Sequence, residues 1–217
     1  MNSNETLRIT EIFHSIQGES KSIGLPTIFI RLTGCPLRCQ YCDTTYAFNG
    51  GEVMHLEEIM KRVNALNCPY VTVTGGEPLA QPNCDKLLSA LCDAGFQVSI
   101  ETSGALSIES LDRRISIVMD LKTPGSLECE KNQYDNIFHL GAKDQVKIVI
   151  CNRKDYEWAK AKVEQYSLID KVGEVLFSPS CEQLDAANLA EWVLDDKLNV
   201  RVQVQLHKIL WGAEPGR

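Results

Sequence analysis

Cys35, Cys39 and Cys42 stand in the run Gly34-Cys35-Pro36-Leu37-Arg38-Cys39-Gln40-Tyr41-Cys42-Asp43, a C-x3-C-x2-C spacing. A loop of this length wraps three thiolates around three corners of a [4Fe–4S] cubane, and soft sulfur ligands suit iron–sulfur clusters. The fourth iron is then open to a small molecule, whereas an electron carrier normally fills all four corners with cysteine. Three close thiols plus one distant ligand could instead cage zinc, although structural zinc sites usually pair two C-x2-C knuckles and no second knuckle exists here. The spacing favours the cluster and leaves zinc open.

Thr74-Gly75-Gly76-Glu77-Pro78 follows the strand-like Tyr70-Val71-Thr72-Val73. A glycine pair at a strand exit lets backbone approach a ligand closely, and the nearby acid can shape the same pocket. Upstream, Arg31 interrupts the apolar run Ile28-Phe29-Ile30-Arg31-Leu32. An arginine in a buried strand needs a partner, and its planar fork suits a carboxylate or a heterocycle edge. An internal salt bridge with Glu19 or Glu101 explains it equally well. Gln17, in Ser15-Ile16-Gln17-Gly18-Glu19, offers both a donor and an acceptor, as a purine-like or pterin-like edge requires, and is otherwise an ordinary loop amide.

The elements that must position these residues alternate. Strands are expected at Thr27 to Leu32, Tyr70 to Thr74, Gln97 to Glu101, Ser116 to Leu121, Gln145 to Ile150, Glu174 to Phe177 and Val200 to Leu206. Leu56, Ile59, Met60, Val63 and Leu66 follow the spacing of one buried helix face, as do Leu87, Leu88 and Leu91. Further helices are expected over Asp155 to Tyr166 and Asp185 to Leu194. Alternating β and α elements argue for a parallel sheet, and the chain is too short for eight full βα units, so an incomplete barrel is expected. Active sites of such folds lie at the carboxyl ends of the strands. The cysteine loop, Thr74-Gly75-Gly76, Glu101-Thr102-Ser103-Gly104, Asp120-Leu121-Lys122, Ser178-Pro179 and His207 all fall at such ends.

With 217 residues, 44% hydrophobic and 24% charged, the chain can bury a full core as a single domain over residues 1–217. A net charge of −7 provides no electrostatic footprint for nucleic acid or for an acidic membrane, so a small-molecule substrate is favoured. The polar start has no signal-peptide pattern and no apolar run is long enough to cross a bilayer, which points to the cytoplasm. Six further cysteines, Cys68, Cys84, Cys92, Cys129, Cys151 and Cys181, are scattered, and read as reduced thiols of a cytosolic protein.

The cysteine loop, Tyr41 before its last cysteine and Gly-Gly-Glu-Pro together resemble the radical S-adenosylmethionine (radical SAM) superfamily. Ser15 to Glu19, Pro26, Phe29-Ile30-Arg31, Gly34-Cys35-Pro36, Cys42-Asp43-Thr44, Thr74 to Pro78, Glu101 to Gly104 and His207-Lys208 narrow the resemblance to the 7-carboxy-7-deazaguanine synthases, over nearly the whole chain from about Ile9. The resemblance implies an α/β incomplete (β/α) barrel of the radical SAM type. It also implies ring contraction of 6-carboxy-5,6,7,8-tetrahydropterin to 7-carboxy-7-deazaguanine with release of ammonia, in queuosine and related deazapurine biosynthesis. The implied cofactors are a [4Fe–4S] cluster on Cys35, Cys39 and Cys42, S-adenosylmethionine, and Mg2+ ligated by Thr44. Tyr41, Cys42, Asp43, Gly76, Asp120, Leu121, Lys122, Ser178 and Pro179 would line the S-adenosylmethionine site. Ile16, Gln17, Gly18, Arg31 and Thr74 would hold the pterin. Homodimers, a flavodoxin- or ferredoxin-type reductant and a chain end near the substrate complete the expectation. A glycyl-radical-enzyme activase shares the two motifs but needs a protein partner, against which Gln17 and Arg31 speak. A non-enzymatic zinc or iron–sulfur module is the third reading.

Overall fold

The computed structural model describes residues 5–181, 183–212, 214 and 216. Among the described residues nine strands form one sheet: β1 Thr6–Ile16, β2 Pro26–Leu32, β3 Glu52–His55, β4 Tyr70–Gly75, β5 Gln97–Thr102, β6 Ser116–Asp120, β7 Gln145–Ile150, β8 Glu174–Pro179 and β9 Arg201–Val202. Their spatial order is β3-β1-β2-β4-β5-β6-β7-β8-β9, parallel from β2 onward, with β3 and β9 as unjoined edges. The barrel is therefore incomplete.

Helices α1 Leu56–Ala65, α2 Cys84–Asp93, α3 Arg153–Gln165, α4 Leu168–Lys171 and α5 Ala186–Asp195 cover the outside, and a short α6 spans Leu206–Trp211. Each main helix has a local cause. Leu56, Ile59 and Val63 of α1, and Leu87, Leu88 and Leu91 of α2, are buried on one face. Asn152 and Asp185 cap α3 and α5 by accepting from the first free amides.

Alternation along the strands separates the two faces of the sheet. Ile28, Ile30, Val71, Val73, Val98, Ile100, Ile148 and Phe177 face the helices in the hydrophobic core. The intervening residues face inward and are largely polar. Register brings them side by side: Arg31 beside Thr74, Thr72 beside Ser99, Asp120 beside Lys147 and Val149 beside Ser178.

Three elements differ from the expectation. β1 and β3 carried no recognised strand signal, yet both join the sheet antiparallel. A bulge between Ile9 and Glu11 changes the phase of β1, so its inward residues follow no single period-two pattern. The strand expected over Val200 to Leu206 shrinks to Arg201–Val202. Beyond Gln203, whose amide still donates to Phe177 O, the chain leaves the edge, and His207 lies in α6 instead of at a strand end.

Candidate functional site

The cysteine loop begins where β2 ends, and the exit of β4 holds its base. Gly76 N donates to Leu32 O (3.2 Å) and Glu77 N to Gly34 O (2.9 Å). A Cβ on Gly76 would lie 2.2 Å from Gly34 O and 2.7 Å from Cys35 Cβ, so only glycine permits this approach. Glu77, fully buried, accepts from Thr102 Oγ1 (2.9 Å), Ser103 N (2.7 Å) and Leu79 N (3.0 Å). It ties the exits of β4 and β5 into one rim beneath the loop. On the other flank, Gln40 N donates to Ser126 O (3.2 Å), while Asp155 accepts from Gly125 N (2.8 Å) and so anchors that loop to α3.

Cys35, Cys39 and Cys42 are half-buried and line one cavity of about 310 Å³. Burial pushes the Cys39 thiol up to about 11, against the pull of the Lys122 ammonium, and raises Cys35 as well; Cys39 also feels Cys35 and Cys42, and Cys35 feels Cys42. Such thiols hold their protons at neutral pH until a metal displaces them. Among the described residues no three His, Cys, Asp or Glu side chains gather around the position of a single ion. Thiols that each bind a separate iron of a cubane do not need to.

Tyr41, Asp43, Gly76, Asp120, Lys122, Ser178 and Pro179 border the same cavity. Lys122 pairs with Asp120 (2.7 Å), and Asn132 clamps the Lys122 main chain by accepting from its N (2.9 Å) and donating to its O (2.8 Å). Among the described residues, Tyr41 OH, Asp120 Oδ1, Ser178 Oγ and Ser180 Oγ are buried and find no hydrogen-bond partner. Four orphaned polar atoms on residues that border one cavity are costly unless a polar ligand completes them, and S-adenosylmethionine, with ammonium, carboxylate and ribose hydroxyls, fits that need. Leu121 is the exception among the expected residues. Alternation turns its side chain into the core, 2% exposed, so only its main chain can face the ligand.

Ile16, Gln17, Gly18, Arg31 and Thr74 border the same cavity. Arg31 Nε donates to Glu11 (2.6 Å), its cross-strand neighbour, and not to Glu19 or Glu101; Tyr46 OH donates to the same Glu11 oxygen (2.8 Å). Gln17 Nε2 donates to Thr72 Oγ1 (3.2 Å) and Glu101 Oε1 (3.3 Å), and Thr74 Oγ1 donates to Glu101 Oε2 (2.9 Å). Burial, and then the charge of Glu19, raise the Glu101 carboxyl above its ordinary range despite Lys147, Thr74 and Arg31. Lys147 itself pairs with Glu19 (2.8 Å). Gly18 is required because a Cβ there would strike the His207 ring, 2.0 Å from Nδ1.

At the mouth, burial opposes ionisation of Asp43, but Lys208 (2.9 Å) and Gln205 (3.2 Å) outweigh it and hold the carboxyl well below the usual range. Thr44 Oγ1 donates to Asp43 Oδ1 (3.0 Å) and borders the cavity. These adjoining hard oxygens suit Mg2+. Gly212, Glu214 and Gly216 also border the cavity, while Arg217, the chain end considered for the substrate, lies outside the described residues.

Sequence reasoning missed Glu11, Tyr46, Lys147, Asn132 and Lys208 as site residues. Lys147 carried a usable signal, an ionisable residue inside the apolar strand Gln145–Ile150, the same anomaly that marks Arg31. Asn132 carried none.

Residues 29–124 match the family model for the radical SAM superfamily. The chain is 44% identical to the 7-carboxy-7-deazaguanine synthase of Chlorobaculum tepidum, over 99% of this chain and 98% of that protein. It is 39% identical to the synthase of Koribacter versatilis, over 96% and 98%. The crystal structure of QueE from Escherichia coli superimposes with a TM-score of 0.76 at 22% identity, covering 93% of this chain and 95% of that one, which shows a shared fold.

Proposed function

The chain belongs to the 7-carboxy-7-deazaguanine synthase family of radical SAM enzymes, and from that membership we propose how its residues convert 6-carboxy-5,6,7,8-tetrahydropterin to 7-carboxy-7-deazaguanine. The observation that carries the reading is one cavity bordered both by three thiols and by Arg31, Gln17, Thr74 and Glu101. When bound, the [4Fe–4S] cluster and S-adenosylmethionine supply a 5′-deoxyadenosyl radical able to abstract hydrogen from carbon.

Cys35, Cys39 and Cys42 hold the cluster, and Gly76 sets the height of their loop. Tyr41, Asp43, Asp120, Lys122, Ser178, Pro179 and the main chain of Leu121 bind S-adenosylmethionine. The orphaned Asp120 Oδ1 accepts from an ammonium or hydroxyl of that ligand, while Asp120 Oδ2 accepts from Lys122 Nζ (2.7 Å). In the same cavity, Arg31 keeps Nε on Glu11 and offers its outer nitrogens to the pterin carboxylate. Gln17, Thr74 and Glu101 form a connected polar edge that reads the heterocycle. Glu101, whose carboxyl burial raises above its ordinary range, accepts from Gln17 and Thr74 and has lone pairs left for the donors of the pyrimidinone edge. Ile16 and Gly18 shape the floor. Thr44, whose hydroxyl lies beside Asp43, would ligate Mg2+, which would supply a positive charge to orient the substrate carboxylate.

The working assembly has a flavodoxin- or ferredoxin-type reductant and a second copy of the chain, with residues 1–217 acting as one catalytic core. No described helix is long and apolar enough to cross a membrane. The test is an anaerobic turnover of reconstituted, reduced protein with S-adenosylmethionine and the carboxypterin, followed by mass spectrometry of the deazapurine product. Cleavage of S-adenosylmethionine with the carboxypterin left untouched would refute the substrate.

A further inference from the structure

The loop between β1 and β2 carries Gln17, Gly18 and Glu19 into the cavity, yet it pairs with no strand. It crosses the interior of the open sheet toward β7 and β9. At its far point Ser20 is buried, 2% exposed, with a left-handed φ of +65°. A non-glycine residue keeps such a conformation only where its surroundings over-determine it.

The surroundings here are two buried glutamines. Gln203 Oε1 accepts from Ser20 N (2.7 Å) and Gln203 Nε2 donates to Ser20 O (2.9 Å), so one carboxamide supplies both halves of a main-chain pairing. Its own amide donates to Phe177 O (2.9 Å), which fixes it to β8. Gln145, at the start of β7, accepts from Lys21 N (2.6 Å). Leu206 N adds a bond to Gly18 O (3.0 Å). Water cannot replace the carboxamide at Ser20 without opening the loop, because residues 20 and 203 are both buried.

We propose that Gln203 is a positioning residue for substrate recognition: its carboxamide, supported by Gln145, stands in for the missing strand and holds the loop in the place that aims Gln17 and Glu19 into the cavity. The substrate part rests on the carboxypterin reading above; the clamp itself does not. Leaving Ser20 N and O unpaired favours open conformations of the loop, and apparent affinity falls with the fraction of closed, competent loop.

Gln203→Met keeps side-chain length while removing both bonds. Amide hydrogen exchange on the metal-free protein should accelerate at Ser20 and Leu206 by about tenfold or more, with Gly76 and Glu77 unchanged. In the reconstituted enzyme, KM for the carboxypterin should rise by about tenfold or more. kcat, iron content and cleavage of S-adenosylmethionine without substrate should stay within about twofold of wild type. A purely structural glutamine would lower Tm and leave KM alone. Unchanged exchange at Ser20, or faster exchange with an unchanged KM, overturns the proposal. If Gln203→Met does not fold, Gln145→Met, which frees only Lys21 N, is judged by the same two readouts. Wild-type protein that ignores the carboxypterin overturns the substrate reading, and the exchange data then decide the clamp alone.

Discussion

Gly76→Ala should separate the geometry of the cysteine loop from general stability. The new Cβ would lie 2.2 Å from Gly34 O and 2.7 Å from Cys35 Cβ, where a real Cβ essentially never comes within 3.0 Å. Both obstacles are main chain or the root of a ligand side chain, so no rotamer relieves the contact. The loop must retreat by about 1 Å, an overpacking that typically costs about 1–3 kcal/mol. Retreat also stretches the bond from Glu77 N to Gly34 O, now 2.9 Å. A constellation of metal ligands tolerates only about 0.5 Å of misplacement, so Cys35 should lose its corner. The assay is iron and sulfide per chain after anaerobic reconstitution, with uncoupled cleavage of S-adenosylmethionine and Tm measured on the same preparations. Iron and cleavage should both fall severalfold, while Tm drops by about 2–4 °C for each kcal/mol. Gly95→Ala is the control. Its φ is +88° and nothing lies within 4 Å of the added Cβ, so it should lose about 1–2 kcal/mol to backbone strain alone and keep its cluster. Gly76→Ala with full iron and normal cleavage would refute the claim that this glycine sets the loop.

Cys39→Ala should abolish cluster retention and all cleavage of S-adenosylmethionine, because two thiolates cannot hold the cubane; iron analysis checks it. Arg31→Lys keeps a charge for Glu11 but loses the fork, so KM for the carboxypterin should rise by about tenfold with uncoupled cleavage nearly unchanged, and equal losses in both assays would mark Arg31 as a structural partner of Glu11. Thr44→Val preserves shape and removes the oxygen, so turnover and its stimulation by Mg2+ should fall together in a magnesium titration while cluster loading survives. An unchanged magnesium response would exclude Thr44 as the ligand.

Short-range chemistry was legible without coordinates. The members of the C-x3-C-x2-C run, of the glycine pair and of each polar strand exit lie within a few residues of one another inside their own motif, so spacing alone limits what each motif can bind. The parallel strands and the faces of α1 and α2 were equally legible, because burial on one side imposes a local period. Glu77 was expected only to shape the pocket, and its buried bonds to Thr102 and Ser103 do so by joining two strand exits.

Partner choice was not legible, because it depends on register between distant segments. Arg31 faces Glu11 since the bulge after Ile9 shifts β1 against β2, and a one-residue slip would turn Glu11 to the other face. Leu121 sits among expected cofactor residues in the sequence, yet the pleat sends its side chain into the core. The short β9, the turn of His207 into α6 and the pairing of Gln203 with Ser20, 183 positions apart, follow from an open sheet whose edges must be satisfied by whatever the fold brings near. Composition and spacing thus determine which atoms are available for chemistry, and only the register and packing of the open sheet decide which of them meet.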